Sequence, residues 1–270
     1  MSSEQRKLKK GAGFMFTALI CVIVVVIIAV AIHQRQTRPV SSTARSSSGS
    51  AAAAVSSGIT SVKSASSGET ALGGLLMLVN KDHKMQSDYT PDFVKVPSSY
   101  YCKSDKDNRF DSRAAKYLES MIDAGRAAGS NLVIYSGYRT YAYQQSNFNR
   151  HVKAYEAKGE TSTQAKIDAA KLVAPAGTSE HETGLAADIV STEYLKSHTD
   201  LTADFDKTAA FTWLYANCAK YGFILRYTED KVSVTKYDYE SWHFRFVGVD
   251  NAKKIMSGGL CLEEYVAKLK

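Results

Sequence analysis

The sequence predicts an α+β domain, a small antiparallel sheet flanked by helices, and three observations predict it. Apolar residues recur at helical spacing through the middle of the chain, short strand-like runs separated by tight turns gather late in it, and two further helical stretches close it. No internal repeat interrupts this order.

In front of that domain the sequence predicts two other zones. Phe14 to Ile32 is 19 residues without a charged side chain, dense in Val, Ile and Ala, the length of helix that crosses a hydrocarbon core. A cleaved signal peptide would have a shorter apolar core and a small-residue cleavage site, and Ala29 to Gln34 offers a poor one. The stretch is therefore expected to be a membrane anchor. Arg6, Lys7, Lys9 and Lys10 precede it, which makes residues 1–13 cytoplasmic and the C-terminal bulk extracytoplasmic. Residues 33–70 are Ser/Ala-rich, with 12 Ser between 41 and 70, and read as a flexible linker that cannot bury enough apolar surface to fold.

Residues 71–270 carry the domain. Leu75 to Val79 reads as a short strand, Ser112 to Ala128 as a helix with Ala115, Leu118, Met121 and Ile122 on one face, and Asn131 to Tyr135 as a buried strand. Helices are expected next at Tyr141 to Ala157 and Ser162 to Val173, then a strand at Leu185 to Val190 and a helix at Phe205 to Tyr221 stopped by Gly222. Strands at Phe223 to Tyr227, Ser233 to Lys236 and Trp242 to Val247 precede helices at Asp250 to Met256 and Leu262 to Leu269.

Charge and cysteine content narrow the function classes. The formal net charge is +7, but residues 1–70 hold 8 Lys/Arg against 2 Asp/Glu, so the domain is nearly neutral and nucleic acid is not an expected partner. The 44% hydrophobic content with only 4 Pro excludes collagen-like and wholly disordered chains. Cys102, Cys218 and Cys261 lie in the domain; one pair could bridge, or all could be reduced apolar residues, and spacing leaves both open.

Of six His, four sit in linker, turn or polar helix contexts, and two stand out. His181 belongs to Ser179-Glu180-His181-Glu182-Thr183-Gly184-Leu185-Ala186-Ala187-Asp188, where small residues let an imidazole and a carboxylate approach; His243 closes Glu240-Ser241-Trp242-His243. Two imidazoles and one carboxylate suit a catalytic zinc with one position left open. His181-Glu182 is not the helical zincin motif, because position 185 is Leu. Glu240 is the better general base. Residues three apart on a regular strand face opposite sides, so Glu240 and His243 converge only if the strand bulges between them. Arg139, in Ser136-Gly137-Tyr138-Arg139 after a predicted buried strand, has the planar fork that suits a carboxylate.

With these motifs in place, residues 71–270 resemble the D-alanyl-D-alanine carboxypeptidase family of zinc enzymes, which includes VanY-type D,D-carboxypeptidases and LdcB/DacB-type L,D-carboxypeptidases of bacterial cell walls. The likeness rests on Leu78-Val79-Asn80-Lys81, Asp88-Tyr89-Thr90-Pro91-Asp92, Ser136 to Arg139, the Ser-x-His-x-x-Gly-x-Ala-x-Asp run from Ser179 to Asp188, and Glu240-x-Trp242-His243. The resemblance implies the Hedgehog/D-Ala-D-Ala peptidase-like fold, with His181, Asp188 and His243 as ligands of one Zn2+ and Glu240 as catalytic base. It further implies Arg139 as the grip on the substrate's terminal carboxylate, Gln144 and Ser179 as substrate contacts, and Tyr138 and Trp242 as pocket walls. The stretch from 151 to 164 looks longer than a minimal member needs.

The protein is thus expected to be a monomeric, membrane-tethered carboxypeptidase acting on peptidoglycan stem peptides from the cell-wall side. L,D activity on tetrapeptides is slightly favoured over D,D activity on pentapeptides. The rivals are a D,D-dipeptidase or endopeptidase on the same scaffold, and a non-catalytic zinc-containing wall-binding module, since Hedgehog-type domains share this fold.

Overall fold

The computed structural model describes Gly68 and residues 70–103 and 107–269. The predicted cytoplasmic segment, the span at 14–32 and all but a few residues of the linker lie outside them. No helix among the described residues is long and apolar enough to cross a membrane.

Apolar side chains three and four apart bury one face of helix α1 (Ala115–Ala127) through Leu118, Met121 and Ile122. Strand β3 (Leu132–Ser136) comes next, then helices α2 (Tyr141–Glu156) and α3 (Ser162–Leu172), each started by a threonine whose hydroxyl accepts a backbone N–H: Thr140 from Tyr143 and Thr161 from Gln164. Phe148, Val152, Ala165 and Ala169 give this helical pair, which contains the predicted 151–164 extension, a small core of its own.

Strand β4 (Ala186–Ser191) is buried along its whole length, as is β5 (Phe223–Tyr227); β6 (Glu240–Phe246) completes the set. These strands form an antiparallel four-stranded sheet in the order β3-β4-β6-β5. Register decides the chemistry here, because β4 and β6 pair with Asp188 opposite His243. Along β5, Leu225 pairs with Phe244 but Tyr227 pairs with Glu240. Extra residues in β6 therefore bulge between Glu240 and His243, the irregularity that the strand period demanded.

The main core packs α1 and helix α5 (Ala209–Asn217) through Leu118, Ile122 and Leu214 against Ile134, Ile189, Phe223 and Phe244 of the sheet. A second cluster joins Leu76, Ile224 and Val247 to helices α7 (Val249–Ser257) and α8 (Leu262–Ala267) through Ala252, Ile255, Leu262 and Val266.

The structure corrects several expected elements. Leu75 to Val79 is turn and irregular chain rather than strand, because the carbonyls of Leu75 and Met77 accept from the buried Arg245 guanidinium instead of a strand neighbour. Ser233 to Lys236 is not a strand either: residues 232–235 form the one-turn helix α6 (Val232–Thr235), ended by Lys236 at φ 63°. The expected helix from Phe205 to Tyr221 breaks at Thr208, which caps α5 by accepting from Phe211 N, and its two ends are 3-10 turns. The short elements that went unpredicted include the antiparallel pair β1 (Phe93–Lys95) and β2 (Arg109–Asp111), and helix α4 (Thr192–Ser197). Cys218 and Cys261 are buried free thiols, and the Cys102 thiol donates to Tyr135 O.

Candidate active site

His181 is placed by a 3-10 turn, Glu180–Thr183, between α3 and β4. A capping box holds the turn: the Glu182 carboxylate accepts from Ser179 N at 3.4 Å and from Gly177 N at 2.9 Å. Gly184 ends it in the left-handed region at φ 70°, where a Cβ would also press on Phe93 and Asp111. The chain can then enter β4 at once and deliver Asp188.

Three donors converge. His181 Nδ1 meets Gly137 O at 2.7 Å, so its Nε2 faces inward, 3.2 Å from Asp188 Oδ1. His243 Nδ1 lies 3.3 Å from the same oxygen and 3.3 Å from Glu240 Oε2. Ligand atoms of His181, Asp188 and His243 all fall within 4.8 Å of one another, and all three residues are buried. Asp188 Oδ1 is a buried carboxylate oxygen with no hydrogen-bond partner. An orphaned anionic oxygen between two inward imidazole nitrogens fits a divalent cation, and this donor set fits zinc.

Electrostatics agree with that assignment. Burial disfavours the Asp188 anion, but the imidazole of His181, with His243 and Arg139, outweighs it and holds the carboxyl well below its ordinary range. Burial, then Arg139, pushes His181 down, toward the neutral form that a metal ligand needs. For His243 burial is outweighed by Asp188, Glu180 and Glu240, so without a metal its imidazole retains a proton that metal binding would displace.

Arg139 stands at the rim. Its Nη2 donates to Asp188 Oδ2 at 3.0 Å and its Nε to Ser136 Oγ at 3.0 Å. Beside it opens a cleft of about 320 Å³ lined by Asp107, Ser136, Gly137, Tyr138, Arg139, Thr140 and Tyr143. Tyr138 forms a wall of it, its ring 4.3 Å from that of Phe93 and 4.9 Å from the Arg109 guanidinium. The structure thus brings His181, Asp188, His243, Glu240 and Arg139 together, with Tyr138 alongside. The other three expected residues have structural engagements: Ser179 caps the His181 turn, Gln144 is fully buried with its amide donating to Ala174 O at 2.7 Å, and Trp242 packs on the main core.

Sequence reasoning missed Glu180. Its Oε1 accepts from Arg226 Nε and Arg245 Nη1, both at 2.8 Å, and its Oε2 lies 3.6 Å from His243 Nε2. Both arginines are fully buried. A signal existed: Arg226 and Arg245 each interrupt an apolar strand run, and a charge in such a run needs a buried partner.

Comparison with known proteins places this geometry. The sequence profile described as VanY, D-alanyl-D-alanine carboxypeptidase, matches residues 107–249. A D-alanyl-D-alanine carboxypeptidase of Enterococcus faecalis is 38% identical over 191 residues, covering 71% of this chain and 65% of that protein; the chain thus spans about two thirds of that relative. The solved LdcB LD-carboxypeptidase is 38% identical with a TM-score of 0.64, over 73% of this chain and 88% of that one. A VanY D,D-pentapeptidase from a VanB-type resistance cassette, solved with Zn(II), is also 38% identical, with a TM-score of 0.58 over 71% of this chain and 98% of that one.

Proposed function

The chain belongs to the VanY family of D-alanyl-D-alanine carboxypeptidases, and from that premise we propose that it is a zinc carboxypeptidase removing the C-terminal D-alanine from peptidoglycan stem peptides. The observation that carries the reading is the orphaned Asp188 Oδ1 between His181 Nε2 and His243 Nδ1, with Glu240 and Arg139 on its open side.

His181 Nε2, Asp188 Oδ1 and His243 Nδ1 would hold the zinc. The chemistry it supplies when bound is Lewis-acid polarisation of a carbonyl and a lowered pKa for water, towards about 7. Glu240, 26% exposed and 3.3 Å from His243 Nδ1, faces both solvent and the cluster. It takes the proton of the attacking water and returns it to the leaving amine. Arg139, steadied by Ser136 and Asp188, offers its remaining N–H groups to the substrate's terminal carboxylate, and so selects a free C-terminus.

We further propose L,D activity on tetrapeptides, supported by the likeness to the LdcB LD-carboxypeptidase. Mass spectrometry of zinc-loaded protein with tetrapeptide, pentapeptide and C-terminally amidated stems tests both parts. Loss of one alanine from the tetrapeptide, halted by a chelator, is expected. Loss from the pentapeptide alone reverses the L,D assignment, cleavage of the amidated stem marks an endopeptidase, and binding without product marks a wall-binding module. Residues 14–32 and the Ser/Ala-rich linker support an enzyme tethered to the membrane on the cell-wall side, which protease accessibility in intact cells would check.

A further inference from the structure

The structure assigns to Glu180 the role of positioning His243: its carboxylate selects the ring tautomer with the proton on Nε2 and so presents Nδ1 to the metal. This inference rests on the zinc-site reading above.

Only Nδ1 of His243 points at Asp188 and Glu240, so the ring serves as a ligand only when Nδ1 is bare. Behind the ring, Nε2 and Glu180 Oε2 face each other at 3.6 Å. Both atoms are buried and neither has a hydrogen-bond partner. Closing that gap by about 0.5 Å makes an N–H···O hydrogen bond and satisfies both.

Glu180 cannot turn away to be satisfied elsewhere. Its Oε1 is taken by Arg226 and Arg245, and each arginine is clamped in turn. Arg226 donates to Glu263 on α8 at 2.9 and 2.6 Å, and Arg245 to Leu75 O at 2.9 Å and Met77 O at 3.0 Å. Both guanidiniums donate to Oε1, which leaves Oε2 as a charged acceptor aimed at His243 Nε2. An amide cannot accept at both positions. In Glu180→Gln, if the amide oxygen stays with the arginines, the NH2 faces His243 Nε2 and favours the proton on Nδ1, the wrong tautomer.

The experiment is zinc affinity measured by competition with a chromogenic chelator. Glu180→Gln should bind zinc 10- to 100-fold more weakly. Glu263→Gln, which loosens the same Arg226 but faces no imidazole, should lose thermal stability and keep its zinc affinity within about twofold. Should Glu180→Gln fail to fold, the zinc-loaded wild type still decides, by 15N-histidine NMR. The expected signature is a slowly exchanging His243 proton on Nε2, shifted downfield by a carboxylate acceptor. Equal zinc affinity in Glu180→Gln, equal losses in both variants, or a His243 Nε2–H without the downfield shift would overturn the assignment. A wild type that binds no zinc overturns the metal-site reading itself, a result distinct from all of these.

Discussion

The two sides of His243 are built on opposite principles. Behind the ring, Glu180, Arg226 and Arg245 are fully buried, carry charge, and bind one another and the backbone. In front, Glu240 and Arg139 keep 26% and 22% of their side chains exposed. A buried charge set of this kind resists rearrangement, because removing one member strands the rest. Partly exposed groups can trade protein partners for substrate. The same contrast recurs within one turn. Glu180 and Glu182 are both buried, yet for Glu180 the two guanidiniums outweigh burial and hold the carboxyl well below its usual range. Burial pushes Glu182 up to about 7, with backbone N–H groups of Gly177 and Ser179 opposing it only in part. Two positions along the chain separate a permanent anion from one that titrates near neutrality.

If the front does the chemistry and the back holds its geometry, front-side variants should lose turnover without losing metal. The largest effect is expected for Glu240→Gln: a drop in kcat of about 10³-fold, the scale of general acid–base catalysis, with zinc stoichiometry by plasma emission unchanged. Retained turnover would remove Glu240 from the mechanism. Next comes Arg139→Ala, which gives up a charge-assisted grip worth about 1.5–3 kcal/mol. Its kcat/KM should fall by about 10²-fold on stems with a free C-terminus, with zinc stoichiometry unchanged; an unchanged kcat/KM would remove its assigned role.

Glu182 sharpens the contrast through pH. A carboxyl raised from 4.5 to about 7 binds its proton more tightly in the folded state. Its stabilising contribution is therefore complete below about pH 4.5 and is lost as pH rises through about 7. Glu182→Gln mimics the protonated form. In urea titrations of the metal-free protein, the stability of wild type relative to this variant should fall by up to about 1.4 kcal/mol per pH unit within that window. A flat difference would contradict the raised value. The smallest effect is expected away from the site: Thr161→Ala removes the α3 cap and should lower stability by about 1 kcal/mol with zinc affinity unchanged.

Much of the site was legible because its parts are local. His181 and Asp188 share one short motif, and for Glu240 and His243 to converge the strand period required a bulge between them, which β6 supplies. The strand expected at Leu75 to Val79 failed for a nonlocal reason: its carbonyls are claimed by Arg245, 168 or more positions away. At Ser233 to Lys236 a β-branched run gave way to a turn of helix that continues directly from the 3-10 turn Glu229–Lys231. β1 and β2 escaped notice because each has only three residues, too few for a period to register.

By itself the sequence determined the α+β class and the family, and it singled out His181, Asp188, His243, Glu240 and Arg139 as candidates, because motif spacing and side-chain chemistry act over short stretches of chain. Only the tertiary structure decided which nitrogen of each imidazole faces Asp188 and that Glu180 lies behind His243. The partners of Glu180 are 46, 63 and 65 positions away. A buried charge and a solvated one look alike in a sequence until the fold brings such partners to them.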